Sequence, residues 1–353
     1  MLTAILFNDT SHNKHHGCQI VVRQIYALAQ QAGIRIVKAC PMRHDWRRDE
    51  ALKREIAKVD LCLINGEGTI HDDAKAARIL VELAPFCRER NVPCFLINSV
   101  WQRNSMEMVE AARSFSAIYL RDHHSQAELA RSGLASEVVP DLTLSAVPPP
   151  AQQREGLLVN GSFYEERTQE AWRLYRDADG ALQYLSIQSM PQVQWGKGFT
   201  GYFWRSLRSL FKAWRARYKA RRMEEFGRDL PVRQIKAMRW RYSFATSEQF
   251  LQRLAVSRGV ITGRFHCVTL CLLSETPFFA IASNTHKIEG LLDQCGLSGR
   301  IFSDYASAFA SAHRIDFSAQ EKQAVRRFVS DSAARARQMF IQIAQDVRAQ
   351  ARQ

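Results

Sequence analysis

The 353-residue sequence lacks the features of membrane, disulfide-rich and repeat proteins. No apolar run approaches the roughly 20 residues of a membrane span, and residues 1–9 are too short and uncharged for a signal peptide. The eight cysteines form no CxxC pair, a usage typical of a reducing cytoplasm. No short-period repeat is present. With 46% hydrophobic and 24% charged residues, the sequence predicts a cytoplasmic globular protein.

Positive charge is concentrated in one segment. Residues 204–241 hold thirteen Lys or Arg against three acidic residues, a local charge of +10 out of a formal +14. This distribution argues against a nucleic-acid-coating protein, so no nucleic acid partner is expected. Within residues 203–222, apolar residues recur at helical spacing among eight basic ones, which predicts an amphipathic helix that binds an anionic membrane surface. The alternative is a helix that packs on the core and leaves its basic face in solvent. The protein is therefore expected in the cytoplasm or peripherally on the inner face of the cytoplasmic membrane.

Strand-like and helical segments alternate along both halves of the chain. Leu2–Phe7, Cys18–Gln31 and Ile34–Ala39 begin a βαβ rhythm that predicts a parallel sheet covered on both faces. Gly156–Asn160 starts the rhythm again after the Pro148–Pro150 run. The expected class is α/β, with two Rossmann-like domains facing a cleft. The predicted bounds are 1–147 for the first domain, 148–155 for a linker, 156–317 for the second domain with its basic insert at 203–241, and 318–353 for C-terminal helices.

The run Gly263-Arg264-Phe265-His266 is the strongest functional signal. It follows the β-branched strand Val260–Thr262 and opens an apolar helix over Phe265–Ser274. Free N–H groups and the helix dipole favour anions at such a turn. The Arg fork can hold a carboxylate or phosphate, and the His can transfer a proton near neutral pH. An anionic small-molecule site is the expected outcome.

Four other loops follow predicted strands and should lie at the same kind of sheet edge. In the first, His15, His16 and Cys18 are grouped, but no matching second cluster appears, so no metal is expected. Glu67 and His71, with glycines around them, supply proton-transfer groups in the second. The others are Arg121-Asp122 and Pro140-Asp141.

Taken in order, these motifs resemble the polysaccharide pyruvyl transferase family. The resemblance rests on Gly66-Glu67-Gly68, Arg121-Asp122-His123-His124-Ser125 with Leu129 and Gly133, Pro140-Asp141, Gly263-Arg264-Phe265-His266, and Lys287 with Gly290-Leu291. It implies a GT-B-like fold in which the C-terminal helix returns to the first domain. It also implies transfer of a pyruvyl group from phosphoenolpyruvate, as co-substrate and with no cofactor, to a sugar of a surface-polysaccharide or lipid-linked glycan precursor, as in capsule or lipopolysaccharide synthesis.

The same resemblance implies donor-side roles for Arg264, His266 and Arg121, and residue type and position suggest the other roles. His266 is the expected acid, and Glu67 and His71 are weaker catalytic candidates on the acceptor side. Donor binding is expected from Arg264, Arg121, Lys287 and Gly263, and carbohydrate acceptor binding from Asp9, His15, His16, Gly66 and Gly68. Arg121→Ala is expected to weaken donor binding, with less effect on folding than a substitution of Arg264 or His266.

Two other functions are compatible with the same residues. A GT-B-like glycosyltransferase with a nucleotide-activated, acidic keto sugar as donor would also need Arg264 and Arg121. A non-catalytic scaffolding member of a polysaccharide assembly complex would bind neither donor.

Overall fold

The computed structural model describes residues 1–150, 152–189, 245–282 and 287–351, together with six single residues of the basic insert. The chain divides into two compact units. Unit 1 comprises 1–11, 21–146 and 328–353, and unit 2 comprises 12–20 and 147–327. Segment 12–20, which the sequence analysis placed in the first domain, therefore groups with unit 2.

Unit 1 is built on a six-stranded parallel sheet in the order β2-β1-β3-β4-β5-β6. Its strands are β1 Leu2–Asp9, β2 Ile34–Pro41, β3 Leu61–Glu67, β4 Cys94–Ser99, β5 Ala117–Leu120 and β6 Glu137–Val138. The helices between them are α1 His16–Gln31, which begins in unit 2, α2 Glu50–Ile56, α3 Lys75–Val81, α4 Leu83–Arg88, α5 Met106–Ala112 and α6 His123–Arg131. Short 3-10 turns lie at Trp46–Arg48 and Leu142–Ser145.

Alternate residues of the central strands face two separate cores. Ile5 and Phe7 belong to the core on one face, and Ala4 and Leu6 to the core on the other. All of β3 is buried, as expected for a parallel strand covered on both sides.

Unit 2 has a five-stranded parallel sheet in the order β11-β10-β9-β7-β8. Its strands are β7 Glu155–Ser162, β8 Leu182–Tyr184, β9 Ser257–Gly263, β10 Phe278–Ile281 and β11 Ile301–Phe302. Its helices are α7 Glu165–Asp177, α8 Ser247–Ala255, α9 Phe265–Leu273, α10 Lys287–Gln294 and α11 Tyr305–Ala310, with 3-10 turns at Ser298–Arg300 and Ala312–Arg314. The long helix α12, Ala319–Gln350, begins in unit 2 and continues in unit 1.

The α/β class, the parallel sheets and the return of the C-terminal helix to the first unit are confirmed. Two local predictions are wrong. The apolar periodicity of residues 74–90 predicts a single helix, but the structure divides it into α3 and α4, because Pro85 has no N–H to donate to the preceding turn. Gly66 and Glu67, expected in a loop, are the last two residues of β3. No helix among the described residues is long and apolar enough to cross a bilayer.

The part of α12 in unit 1 covers one face of the first sheet. Met339, Phe340, Ile343 and Val347 are buried in the same core as Leu6 of β1. Ile343 is fully buried, whereas Ile341 on the same helix is 43% exposed. This pair separates the contribution of burial from that of helix propensity.

Ile343→Ala should therefore lower the free energy of unfolding of unit 1 by about 2–5 kcal/mol, the usual cost of a large-to-small change in a core. Ile341→Ala, the control, should change it by no more than about 0.5 kcal/mol. Urea denaturation followed by circular dichroism measures both. Equal effects of the two substitutions would show that α12 does not complete the unit 1 core.

Candidate active site

The turn from β9 to α9 places an arginine and a histidine at a helix N-terminus. Arg264 is the N-cap residue, with extended backbone angles and no capping hydrogen bond from its side chain, and His266 is the second helical residue. All of α9 from His266 to Leu273 is buried, and His266 is 9% exposed. The first N–H groups of a helix have no partner within it, and the dipole there is positive. An anion is therefore favoured beside Arg264.

A buried tyrosine supports this turn from behind. The Tyr305 hydroxyl accepts a hydrogen bond from the Gly263 N–H at 3.0 Å and donates one to the Asn160 carbonyl at 2.8 Å. Burial raises the pKa of Tyr305 well above its ordinary value, so the hydroxyl keeps its proton. A Cβ on Gly263 would lie 2.7 Å from the Ser162 Cβ, which explains the glycine at this strand end.

The segment 12–20 lies against His266 within unit 2. The rings of His15 and His266 are edge to face, with centroids 5.2 Å apart. A Cβ on Gly17 would lie 2.3 Å from the Cβ of His266 and 2.8 Å from its Nδ1. Only glycine fits at this position, and its absent side chain allows the first turn of α1 to pack on the imidazole.

His16 anchors the same segment. Its ring stacks on Phe250 with centroids 4.7 Å apart, and its Nδ1 lies 3.3 Å from the Ser247 hydroxyl. The His16 N–H donates to the Ile187 carbonyl at 3.0 Å. These contacts give His16, which is 1% exposed, a structural role. Its contact with an acceptor stays a prediction.

In unit 1, three neighbouring strands each have a left-handed residue at their last or second-to-last position. These residues are Asn8, Glu67 and Asn98, with φ values of 60°, 43° and 53° respectively. Such angles cost of order 1–3 kcal/mol for residues other than glycine, although Asn tolerates them better than Glu. Backbone strain of this kind clusters at ligand sites, which supports the sequence-based placement of a site at this sheet edge.

A buried hydrogen-bond network holds the Glu67 carboxylate at that edge. Its Oε1 accepts from the Thr10 hydroxyl at 2.5 Å and from the Asn65 amide at 3.1 Å. Asn65 in turn accepts from Asn98 at 3.1 Å. Gly66 is required before Glu67, because a Cβ there would lie 2.2 Å from the Ser99 hydroxyl oxygen.

Arg121 forms a buried ion pair. Its Nη1 lies 2.7 Å from Oδ2 of Asp141, and the two side chains are 3% and 0% exposed. Asp141 also accepts from the Thr143 N–H and hydroxyl, and Asp122 caps α6 through the Ser125 N–H. Removal of one partner from such a pair costs about 3–5 kcal/mol, because the other charge stays buried. Arg121→Ala is therefore expected to lower the stability of unit 1 as well, and its effect on folding relative to substitutions of Arg264 and His266 stays a prediction.

The other predicted residues occupy separate positions. His71 Nδ1 lies 2.7 Å from Oδ2 of Asp72, whose pKa is lowered to about 2 by hydrogen bonds from Arg103 and then from His71. An ionised carboxylate orients this imidazole, as general bases require. Asp9, the last residue of β1, is buried and accepts from the Ser11 N–H at 2.8 Å.

Gly68 follows β3, and Lys287 is the half-buried first residue of α10. The structure groups Gly263, Arg264, His266, His15 and His16 in unit 2, and Asp9, Gly66, Glu67, Gly68, His71 and Arg121 in unit 1. The individual site roles stay predictions.

Sequence reasoning missed the polar residues that support both sites. In unit 1 they are Asn8, Thr10, Asn65 and Asn98, and in unit 2 Asn160, Thr262 and Tyr305. The available signal was the polar residue at the end of an apolar strand, as in Ile64-Asn65 and Ile97-Asn98. It also missed that His15, Cys18 and His266 bring three possible metal-ligand atoms within 4.8 Å of one another.

Comparison with known proteins gives both a family and a fold. The family model for polysaccharide pyruvyl transferase matches residues 13–285. None of the curated proteins matches the sequence. The UDP-forming alpha,alpha-trehalose-phosphate synthase of Burkholderia vietnamiensis has a TM-score of 0.51 at 12% identity, over 99% of this chain and 100% of that one.

Two further solved structures are similar at lower scores. The UDP-GlcNAc 2-epimerase of Methanocaldococcus jannaschii has a TM-score of 0.44 at 10% identity, over 93% of this chain and 99% of that one. A Thermobaculum terrenum O-GlcNAc transferase mutant has a TM-score of 0.45 at 10% identity, over 98% of this chain and 68% of that one. Only the trehalose-phosphate synthase, at a TM-score of 0.51 and 12% identity, supports the assignment, and it speaks for the fold alone. The GT-B-like prediction is confirmed.

Gly17→Ala should disturb the His266 environment, because the added methyl overlaps the imidazole. We expect a loss of about 1–3 kcal/mol in the free energy of unfolding of unit 2, typical of overpacking. Gly299→Ala is the matched control, since a Cβ there meets nothing within 4 Å. Thermal unfolding measures stability, and the NMR shift of the His266 ring measures displacement. An unchanged shift and stability in Gly17→Ala would contradict the close packing.

Proposed function

Because the chain belongs to the polysaccharide pyruvyl transferase family, we propose that it transfers a pyruvyl group from phosphoenolpyruvate to a sugar of a surface-polysaccharide or lipid-linked glycan precursor. The observation that carries the proposal is the position of Arg264 and His266 where β9 meets α9, inside the matched residues 13–285. Family membership itself supports a transferase, and the donor and the sugar belong to the proposal.

The donor has the charges that this turn favours. Phosphoenolpyruvate carries a carboxylate and a phosphate, and each can accept two parallel hydrogen bonds from a guanidinium. Arg264, at the N-terminus of α9, supplies one such fork next to the positive end of the helix. Lys287 and Arg121 are the further proposed donor contacts. For Arg121 this requires that the donor shares the guanidinium with Asp141.

The reaction needs one acid and one base. His266 protonates the methylene carbon of phosphoenolpyruvate, which leaves an oxocarbenium-like carbon for a sugar hydroxyl to attack. A base, Glu67 or His71, takes the proton that this hydroxyl loses. A second hydroxyl then displaces phosphate and closes the ketal, and its proton leaves with the phosphate. Cationic side chains stabilise the developing negative charge.

A second function shares this scaffold. The trehalose-phosphate synthase with the same fold is described as UDP-forming, and a nucleotide-activated acidic sugar would also need an arginine at the β9–α9 turn. In this alternative the chain is a GT-B-like glycosyltransferase. Calorimetric titration of the protein with phosphoenolpyruvate and, separately, with nucleotide sugars distinguishes the two donors. A response to neither favours a scaffolding role in a polysaccharide assembly complex.

Substitution of Arg264 should lower donor affinity, whereas substitution of His266 should lower the reaction rate. Arg264→Lys keeps the charge but loses the two-pronged geometry, so donor affinity should fall about tenfold or more. His266→Gln should leave donor affinity nearly unchanged and lower single-turnover phosphate release by about 10²–10⁴-fold, since Gln cannot transfer a proton.

Arg258→Lys and His313→Gln are the matched controls. Arg258 lies near the opposite end of the same strand β9, and both residues are exposed on unit 2. If His266→Gln turns over at the wild-type rate, His266 is not the acid and Glu67 or His71 takes its place. If Arg264→Lys binds the donor as the wild type does, Arg264 lies outside the donor site.

We further propose that the basic insert binds the membrane surface that carries a lipid-linked acceptor. Most of residues 203–222 lie outside the described part of the chain. Four described helical residues of the insert are exposed apolar side chains at helical spacing: Leu207, Phe211, Trp214 and Tyr218, at 43%, 75%, 66% and 59%. Each Lys or Arg near an anionic surface contributes about 1 kcal/mol.

The protein should sediment with phosphatidylglycerol vesicles at low salt and be released at high salt. Replacement of Phe211 and Trp214 by Ser should reduce sedimentation, because the helix loses its apolar anchor. The same replacement at Phe163 and Tyr164, exposed aromatics of unit 2 outside the insert, should not. Absence of sedimentation at low salt would refute the membrane proposal.

A further inference from the structure

Three side chains of a kind that binds transition metals meet in unit 2. His15 and Cys18 come from the segment that opens α1, and His266 from the first turn of α9. One atom from each, an imidazole nitrogen or the Cys18 Sγ, lies within 4.8 Å of the other two. Cys18 is 5% exposed, His266 is 9% exposed and His15 is half-buried. The group is therefore largely shielded from water, with access from the His15 side.

The positions of these ligands are set by the surrounding structure. The missing side chain at Gly17 lets the segment approach the His266 ring, and a methyl there would overlap it. Two backbone hydrogen bonds hold the segment, from the His16 N–H to the Ile187 carbonyl at 3.0 Å and from the Ser189 N–H to the Lys14 carbonyl at 3.1 Å. Because these anchors, at Lys14 and His16, flank the ligand His15, the ligand cluster does not depend on a loose loop.

The Asn13 side chain next to Cys18 favours the thiolate form of that cysteine. The Asn13 amide nitrogen lies 3.7 Å from the Cys18 Sγ and donates to it. The backbone of Asn13 is held in turn, since its backbone carbonyl accepts a hydrogen bond from the Gln19 side-chain amide at 3.3 Å. Hydrogen bonds from such outer groups orient metal ligands and tune them. An amide donor also stabilises negative charge on sulfur, which is the form that binds metals.

We propose that His15, Cys18 and His266 form a binding site for a divalent transition metal of the zinc class. One thiolate and two imidazoles are the ligands that zinc and cobalt prefer, whereas magnesium and calcium need oxygen ligands. Zn–N and Zn–S bonds of about 2.0–2.3 Å place tetrahedral ligands about 3.3–3.7 Å apart. The ligand atoms, which lie within 4.8 Å of one another, therefore need to move closer by no more than about 1.5 Å.

Three protein ligands leave one position of a tetrahedral ion for water or an anion. The metal also engages the imidazole that the proposed function uses as the acid. Zinc at this site therefore inhibits pyruvyl transfer, a consequence that rests on the proposed function of His266 as the acid. Binding of the metal itself does not depend on which reaction the protein catalyses.

Cobalt(II) is the spectroscopic probe. Titration of metal-free full-length protein with cobalt(II) should reach one equivalent and produce both the visible bands of tetrahedral cobalt and a thiolate-to-cobalt charge-transfer band. Cys18→Ser should abolish the charge-transfer band. His15→Gln and His266→Gln should each weaken cobalt binding by about tenfold or more, because a tetrahedral site of this kind needs its third protein ligand.

Cys295→Ser and His313→Gln are the controls and should bind cobalt as the wild type does, since both residues lie elsewhere in unit 2. Circular dichroism checks the fold of each variant. Should Cys18→Ser fail to fold, zinc-edge X-ray absorption of the wild-type protein decides: one sulfur and two imidazoles at bonding distance support the site. Three results would each overturn the proposed metal site: no stoichiometric binding, a charge-transfer band that survives Cys18→Ser, or zinc coordination without sulfur.

Discussion

The arrangement of unit 2 depends on the absence of one side chain. Gly17 lets the first turn of α1 lie directly on the His266 ring, at a distance where a methyl group would overlap three ring or Cβ atoms. The stacking of His16 on Phe250 and the edge-to-face pair of His15 and His266 follow from this contact. Close packing of this kind restricts the rotamer of the ring, because the ring has no neighbouring position to occupy. Steric packing on the His266 ring therefore adds to the hydrogen bonds of Tyr305 in setting the geometry of the β9–α9 turn.

Unit 1 fixes its polar residues by the opposite means. Glu67 has a strained backbone and is held by hydrogen bonds from Thr10 and Asn65, while Arg121 and Asp141 neutralise each other in the core. Buried polar groups of this kind are costly unless every partner is present. Such a network favours one arrangement strongly, which is the condition for positioning an acid or a base.

Local patterns predicted the fold well and the site only in part. Strand β5, at Ala117–Leu120, lies where its apolar run indicates, and α9 begins at Phe265 as the glycine before it suggests. The break at Pro85 was missed because apolar periodicity continues through it. The proximity of His15 and Cys18 to His266 could not be read from spacing, since the residues are far apart in sequence. Hydrogen-bonding partners such as Tyr305 have no signature beyond their residue type.

The division of the chain between the units also bears on its synthesis. The chain passes from one unit to the other four times, because unit 2 takes segment 12–20 and unit 1 takes the last part of α12. The residues around Gly17 leave the ribosome long before the β9–α9 turn that they contact. The core on one face of the first sheet likewise cannot be completed until Ile343 has been translated. At about 5–20 residues per second, the nascent chain holds these unpartnered apolar and histidine-rich surfaces for some tens of seconds. Unit 2 cannot be completed before residues up to about 327 have been translated, and unit 1 needs residues beyond them.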